Sequence, residues 1–596
     1  MDFRNFFYLT KLKKNVRLNH LNVGVFDTES ISTKNHTFRV GCVYSIYNHR
    51  EIKRSFTTIK EMFDFLFEFD IVYCYNISFD ANYLLDHLID NKYVYGTDFF
   101  LIESANLLGM VITHKESQKK VIIKDFFPFC LDTLENACKS FKVPTTKYAV
   151  DFDTCTFQEI EKHCLNDVQM LYELVMIYRH IMFDDFKVDI INKKDFSLAA
   201  LGLRVFRTNY ISEGIRHSYI YKSFSGESHS YEYVLDNKLY QFLQKTYKGG
   251  YTNAFDDKTH VDCRTLDISS AYPFGAIALN LPTGKGFWTE SLEMFEECTK
   301  KIPGFCEVTL NVHYNCLPMV FDNKFGLVTG KVHQFLTSLE LFWLLSRGYA
   351  TLIHFHKGVY FKDYSRDYSK YCNDLYKRKS RFGREDTRRE IVKRLLVALS
   401  GKWGEKLMKS RIEYTFSLEK PVGVIYQKRG LMYFTKTRTE STKMLKHSFV
   451  GWISLITAFT RIYLMENVIE LEGFYTDTDS ITTKHLTGRN VGKGLGMLDT
   501  EKEWKVFRAR APKTYAGVLT NGKRLVKAKG IPSRIQSSIF SQIMNDSSIC
   551  TSDFTEILKW KKSLSLLKVQ SQNAHFGGYI TTHKQLTPKL KDTEHL

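Results

Sequence analysis

Proline is scarce in this chain, ten among 596 residues, and no stretch is repetitive or of low complexity. That excludes a linker-rich, disordered protein, and 44% hydrophobic with 14% aromatic content argues for folded structure along the whole length. No apolar run approaches the roughly 20 residues of a bilayer span, so a membrane role is not expected. Cysteine is present, 12 residues, but no C-x-x-C pair occurs, which argues against a zinc ribbon or a disulfide framework. The thiols read as small buried hydrophobes in a reducing compartment. Met1-Asp2-Phe3-Arg4-Asn5-Phe6-Phe7 lacks the basic, apolar, small order of a secretory signal, so the expected location is a cytosol. Acidic residues are outnumbered, 65 against 84 basic ones, and the net charge of +19 favours a polyanionic partner, nucleic acid before membrane.

A chain of this length exceeds one ordinary core, so two or more domains are expected. The first third alternates apolar strands, Val23 to Phe26 and Ile71 to Tyr75, with helical segments in an α/β pattern. Thr156-Phe157-Gln158-Glu159 reads as a capping box opening a helix with Ile160, Cys164, Leu171, Leu174 and Val175 on its apolar face. Tyr247-Lys248-Gly249-Gly250-Tyr251 is a natural junction or close-approach loop. Beyond it the spacing predicts a strand entering a turn at Leu266 to Ser270, a basic helical region from Tyr371 to Leu399, a helix from Trp452 to Val468 and an inserted hairpin between Arg411 and Thr439.

Two carboxylate sets stand out. In Tyr475-Thr476-Asp477-Thr478-Asp479-Ser480 the acids are two residues apart, which in a strand puts Asp477 and Asp479 on one face. With Asp267 upstream they form a hard oxygen set suited to Mg²⁺, which binds carboxylates together with substrate phosphates. The first third repeats the doublet as Asp27-Thr28-Glu29 at the end of a buried strand. It adds Asp80 after a second strand and Asp167 on the capped helix, one turn after His163. Four carboxylates and a histidine are what two-metal phosphodiester hydrolysis requires: one ion activates water, the other stabilises the leaving oxygen, and the histidine orients or deprotonates the water.

This first set resembles the three motifs of the 3′–5′ exonuclease domains of family B DNA polymerases. Phe26-Asp27-Thr28-Glu29 is similar to the first. Tyr75-Asn76-x-x-Phe79-Asp80 is similar to the second, in which Asn76 and Phe79 would hold single-stranded DNA. His163-x-x-x-Asp167 stands where the third usually has Tyr-x-x-x-Asp. Thr133-Leu134 and Lys147-x-x-Val150 resemble minor motifs for primer-strand contact.

Asp267-Ile268-Ser269-Ser270-Ala271-Tyr272-Pro273 resembles polymerase motif A, with Ala271 for the usual leucine. Asp267 and the Ile268 carbonyl would hold Mg²⁺, and Tyr272 would pack under the sugar and exclude a 2′-hydroxyl. Tyr475 to Ser480 resembles motif C, in which Asp479 would be the second direct ligand and Asp477 its support. The stretch from Lys393 to Lys402 aligns with motif B, but only Lys393 and Gly401 match; Val397, Ala398 and Ser400 replace the usual Asn, Ser and Tyr. Arg389 and Arg381 precede Lys393 on a basic face that could neutralise a triphosphate. Lys513-Thr514-Tyr515 resembles the K-x-Y motif of the primer terminus, and Tyr247-x-Gly249-Gly250 the Y-x-G-G motif that joins the two halves and handles template.

The order of these motifs in so short a chain resembles the protein-primed family B DNA polymerases of bacteriophages and linear plasmids. The resemblance implies an α/β and α+β multidomain protein. A ribonuclease H-like exonuclease domain would fill residues 1–195, and a palm-fingers-thumb polymerase domain residues 196–596. Insertions are expected at about 280–360, for terminal-protein binding, and 404–447, for processivity and strand displacement. The implied activity is DNA-directed DNA polymerisation with proofreading, on Mg²⁺ in both sites with Mn²⁺ as a substitute. The implied partners are template and primer DNA, deoxynucleoside triphosphates and a terminal protein, with the enzyme a monomer. A nuclease with a degenerate polymerase half, a non-catalytic nucleic-acid-binding protein and a cellular DNA-primed polymerase are the alternatives.

Overall fold

The structure is a computed structural model that describes residues 8–14, 20–30, 37–103, 106–152, 154–225, 230–314, 317, 319–321, 324–326, 329–383, 385–422, 426–429, 432–545, 550–557 and 579–586. The N-terminal Met1 to Phe7 segment, read above for a signal sequence, lies outside the described residues.

The first third builds a seven-stranded mixed sheet. Its order is Arg50–Phe56, Phe38–Tyr47, Val23–Ser30, Ile71–Cys74, Lys120–Asp125, Leu107–Thr113 and Phe99–Glu103. Three antiparallel strands lead into two that run parallel to Val23–Ser30, which is the ribonuclease H-like order. The parallel strand Ile71–Cys74 is buried throughout, as a strand covered on both faces must be. Alternation along the central strand sends Phe26 to one face, against the helices Ile59–Leu66 and Ala81–Asp90, and Val25 to the other, against the 30-residue helix Phe157–Phe186. The capping box that opens this long helix is formed, with the Glu159 carboxylate accepting from the Thr156 backbone N–H at 2.8 Å.

A second, antiparallel sheet of seven strands follows. Its order is Tyr251–Ala254, Tyr475–Thr478, Ser480–Thr483, His260–Ile268, Leu498–Ala511, Thr514–Leu519 and Arg524–Ala528. The helices Ala271–Ala278 and Val450–Glu470 pack together beside it. A four-stranded antiparallel sheet, Leu281–Thr289, Ala350–Ser365, Phe305–Val312 and Gly330–Thr337, occupies the stretch between motifs A and B. The basic region from 371 to 399 is two helices rather than one, Asp367–Arg381 and Thr387–Ala398. Phe382 turns extended at ψ 130°, and Asp386 caps the second helix by accepting from Arg388 N–H.

Between 408 and 444 the expected hairpin gains a third strand, in the order Met408–Ser417, Met432–Met444, Tyr426–Arg429. Tyr414 docks this sheet on the first one: its hydroxyl donates to Glu103 Oε2 at 2.5 Å and its ring meets Tyr95 edge-on. A single apolar cluster runs from Val25 and Tyr73 through Tyr371 and Leu395 to Trp403 and Trp452, so the elements on either side of residue 195 share one core. Among the described residues, no helix is long and apolar enough to cross a membrane.

Candidate active sites

The first site lies where three elements converge. Asp27 and Glu29 leave the central strand, Asp80 opens the helix Ala81–Asp90, and Asp167 and His163 face in from the long helix. Thr28, pointing to the other face, donates its hydroxyl to Asp80 Oδ1 at 2.6 Å. His163 Nε2 lies 3.6 Å from Glu29 Oε1 and 3.8 Å from Asp167 Oδ2. Its Nδ1 is 2.5 Å from the Tyr148 carbonyl, which can only accept, so Nδ1 carries a proton and the ring is held with Nε2 toward the acids. Lys147 places its ammonium on Asp167 Oδ2.

The electrostatics are those of crowded like charges. Burial, then Glu29, Asp80 and Asp167, push Asp27 well above the usual carboxylate range. Burial, then Asp167 and Asp80, raise Glu29 to about 8 against the pull of Lys147. Asp80 rises to about 7 by burial, opposed by the Thr28 hydroxyl.

Asn76 sits exposed at φ +65°, with Phe79 half-buried beside it against Tyr83. Both face outward beside the acids. Thr133 and Leu134 have structural tasks: the Thr133 hydroxyl accepts from Asn136 N–H to cap the helix Leu134–Ser140, and Leu134 packs on the core.

The second site sits on the second sheet. Asp267 is opposite Ser480, at the end of its strand. The pleat alone does not bring Asp477 and Asp479 together. The chain reverses between them in a two-residue turn, with Thr478 at φ +66° and Asp479 N–H donating to the Asp477 carbonyl at 2.7 Å. The Asp479 carbonyl then accepts from Ile268 N–H at 2.7 Å, which locks the turn to motif A. Burial, then Asp479, raise Asp267 to about 7, and burial, then Asp477, raise Asp479 to about 6. Asp477 is committed elsewhere: its Oδ1 accepts from Thr252 at 3.0 Å, Thr478 at 3.1 Å and Lys513 Nζ at 2.5 Å. Lys513 itself sits at φ +59°, and Tyr515 lies beneath against Tyr475 and Phe507.

The basic helices meet the first third across a cleft of about 520 Å³, where Lys139, Lys142, Lys379, Arg389 and Lys393 outnumber the acids Glu385, Asp386 and Glu390. Lys393 and Val397, one turn apart, are exposed, whereas Ser400 is buried with its hydroxyl on the Val397 carbonyl at 2.7 Å. Arg389 turns back to the Lys379 and Phe382 carbonyls, at 2.5 and 3.1 Å, and so caps the first helix. Arg381 is exposed at that helix's end.

Three further residues shape the two sites. Lys379, half-buried, reaches Ser270 Oγ at 3.4 Å and feels Asp267, which makes it the cation nearest motif A among these. Glu501 adds a carboxylate to the field of Asp267 and Asp479. Asp125 Oδ1 accepts from the N–H groups of Asn76 at 2.8 Å and Phe127 at 2.9 Å, which holds the Asn76 turn. No local pattern marks any of them.

Among the described residues, no three His, Cys, Asp or Glu side chains are arranged to hold a metal ion on their own. The donors still fit a hard divalent cation. They are all oxygen, their carboxyls are pushed up by one another, and Asp167 Oδ1 is buried without a hydrogen-bond partner. An ion that takes its remaining ligands from a substrate phosphate needs no closed cage.

Residues 156–448 match the family DNA polymerase type B, organellar and viral. A probable DNA polymerase of Neurospora intermedia is 24% identical over 453 residues, 70% of this chain and 44% of that protein. One of Ascobolus immersus is 23% identical over 426 residues, 66% and 33% respectively. The chain therefore spans less than half the length of these curated relatives. Phi29 DNA polymerase complexed with primer-template DNA and incoming nucleotide substrates superposes with a TM-score of 0.72 at 16% identity, over 96% of this chain and all of that one. Its binary complex with primer-template DNA gives 0.71 over 95%. The matched segment is just under half of the chain, and over it the sequence is similar to the type B DNA polymerases, organellar and viral, while the fold is that of the phi29 DNA polymerase structures.

Proposed function

We propose that the chain is a DNA-directed DNA polymerase with a 3′–5′ proofreading exonuclease, primed by a terminal protein during replication of a linear viral or plasmid genome in the host cytoplasm. The observation that carries it is the Asp267–Asp479 pair, two carboxyls held against each other at the junction of motifs A and C, with Lys379 and Lys393 on the cleft beside them.

In this reading residues 1–195 are the exonuclease and 196–596 the polymerase. The sheet within 280–360 meets the terminal protein, the sheet within 404–447 holds DNA, and the enzyme acts as a monomer. Asp267, the Ile268 carbonyl and Asp479 would hold Mg²⁺ in one site, and Asp27, Glu29, Asp80 and Asp167 in the other. Bound there, the ions would supply charge neutralisation on the phosphates and activate the attacking oxygen.

The chain's own residues do the rest. Lys379 and Lys393 offset triphosphate charge, and Tyr272 packs under the sugar. Lys513 fixes Asp477 and stands at the primer terminus with Tyr515. Tyr247, Gly249 and Gly250 guide the template. A frayed end would lie on Asn76 and Phe79, with Lys147 near its phosphates. His163, held by its Nδ1 on the Tyr148 carbonyl, turns Nε2 toward Glu29 and Asp167, where it can orient the attacking water or take its proton.

Primer extension by Asp479→Ala should fall about a thousandfold, several kcal/mol of barrier, while single-strand degradation persists. Asp27→Ala should do the reverse. Extension by Asp479→Ala at the wild-type rate refutes the polymerase reading. Protein priming is tested by offering template and deoxynucleotides with and without the neighbouring gene product as hydroxyl donor; no nucleotide joined to that protein refutes it.

A further inference from the structure

A buried ionic cluster lies behind the motif C turn, in contact with neither set of catalytic carboxylates. Arg461, fully buried on the helix Val450–Glu470, gives Nη2 to Glu340 Oε1 at 2.7 Å. Its Nη1 donates to two backbone carbonyls, Lys248 at 2.6 Å and Gly249 at 2.7 Å. Glu340 is itself fixed, because its Oε2 accepts from Thr337 N–H at 3.1 Å and Thr337 Oγ1 at 3.0 Å, the capping box of the helix Ser338–Ser346. The buried Lys248 Nζ donates to the Phe335 carbonyl at 3.0 Å, and Thr457 adds a second donor to the Lys248 carbonyl at 2.8 Å. Burial raises Glu340, but Lys248 and Arg461 overcome it and hold the carboxyl at about 2.

Desolvation makes such a cluster a poor source of stability compared with apolar packing of the same volume. What it does achieve is placement. Arg461 fixes the two carbonyls just before Gly250, and Gly250 is closely packed on both polymerase motifs. A Cβ there would lie 2.7 Å from Thr478 Cγ2 and 3.2 Å from the Tyr272 hydroxyl. One residue later, Tyr251 pairs in register with Thr478. The loop is therefore a floor under both the motif C turn and the Tyr272 ring, and Arg461 sets its height.

We propose that Arg461, anchored by Glu340, is a positioning residue for sugar selection. By fixing the Lys248 and Gly249 carbonyls it seats Gly250 against Tyr272, and so sets the clearance left for a 2′-hydroxyl. This rests on the polymerase reading above. Arg461 touches no substrate; it acts through the loop backbone.

The test is the ratio of kcat/KM for dATP to that for ATP opposite a template thymine, measured with the full chain, Mg²⁺ and primer-template DNA. Arg461→Met alone strands the Glu340 charge, so the pair is removed together in Glu340→Gln/Arg461→Met, and Arg461→Lys is made beside it. Arg461→Lys keeps the charge but loses the fork that reaches Glu340 and both carbonyls at once. A displacement of about 1 Å can cost up to a hundredfold in a reacting geometry, so the ratio should fall about tenfold in the double variant and less in Arg461→Lys. A general structural lesion would slow both nucleotides equally and leave the ratio alone. Should the double variant fail to fold, Arg461→Lys decides. Wild-type selectivity in a variant that still extends with dATP overturns the inference and spares the polymerase reading. A wild-type chain that incorporates no deoxynucleotide overturns that reading, and this inference with it.

Discussion

Replacing Asp125 with alanine separates the strand-holding turn of the first site from its acids. Asp125 is buried at the end of the strand Lys120–Asp125, and its Oδ1 takes the N–H groups of Asn76 and Phe127. Without it both part-buried donors lose their protein partner. At roughly 1–3 kcal/mol for each fully buried unsatisfied group the ceiling is about 2–6 kcal/mol, and the partial exposure of both donors puts the loss at its lower end, about 2 kcal/mol. The same change frees Asn76 from its φ of +65°, a conformation that a non-glycine residue keeps only when its surroundings impose it. If Asn76 positions substrate as proposed, degradation of single-stranded DNA should fall at least about tenfold with extension unchanged. Asp125→Asn, which keeps an oxygen for both donors, should lie close to wild type in degradation. Its pH behaviour gives a second handle. Burial lifts Asp125 from 3.8 to about 7, so the folded chain binds this proton more tightly than the unfolded one. This group's contribution to stability is full below 3.8 and falls as pH rises toward 7. Urea midpoints measured across that range should decline less steeply in Asp125→Asn than in wild type. Full degradation by Asp125→Ala, with an unshifted urea midpoint, refutes the reasoning.

Lys513→Ala removes the ammonium from Asp477 Oδ1 and leaves that oxygen to two threonine hydroxyls, so extension should drop about tenfold or more while degradation is untouched. An unchanged rate of single-nucleotide addition would show that Lys513 is only a surface cation. Glu405 anchors the root of the three-stranded sheet. Burial raises its carboxyl, but His447 at 2.9 Å and Lys402 at 2.6 Å prevail and hold it at about 2. Its contribution is present above 4.5 and is lost as pH falls toward 2, so acid unfolding of Glu405→Gln should show a shallower slope across that window. Identical slopes would mean that the bridge adds nothing.

The parts legible in the sequence are those written in short-range patterns. Asp27 and Glu29 flank a strand position whose alternation is visible in Val23 to Phe26. His163 and Asp167 share a face by helical spacing, and the Thr156 capping box marks where that face begins. Asp477 and Asp479 were legible as a pair but not as a turn, because a left-handed threonine carries no glycine to announce it. The break after Arg381 was hidden by uniform basic composition across both helices, and it is there that Arg389, at the wall of the cleft, commits Nη1 to the carbonyls of the first helix. Asp125, Lys379 and Arg461 act on residues 49, 109 and 212 positions away, across separations at which a single sequence has no periodicity to read. Their identities as a buried acid, a basic helix residue and a helix arginine carry no mark of the partner.

The contact between Tyr414 and Glu103 joins residues 311 positions apart. Ribosomes add roughly 5–20 residues per second, so the edge strand Phe99–Glu103 waits on the order of 15–60 s before its cover is even synthesised. Through that interval the terminal strand of the first sheet lacks the Tyr414 side chain that later docks on Glu103 and Tyr95, and such an edge is one to which a neighbouring nascent chain can add a strand. Lys115 and Lys119 are exposed near the turn that precedes the strand Lys120–Asp125, and Lys120 opens that strand, exposed as well. This cluster of positive charge gives that end of the sheet some protection against like chains while the later part of the molecule is still being made.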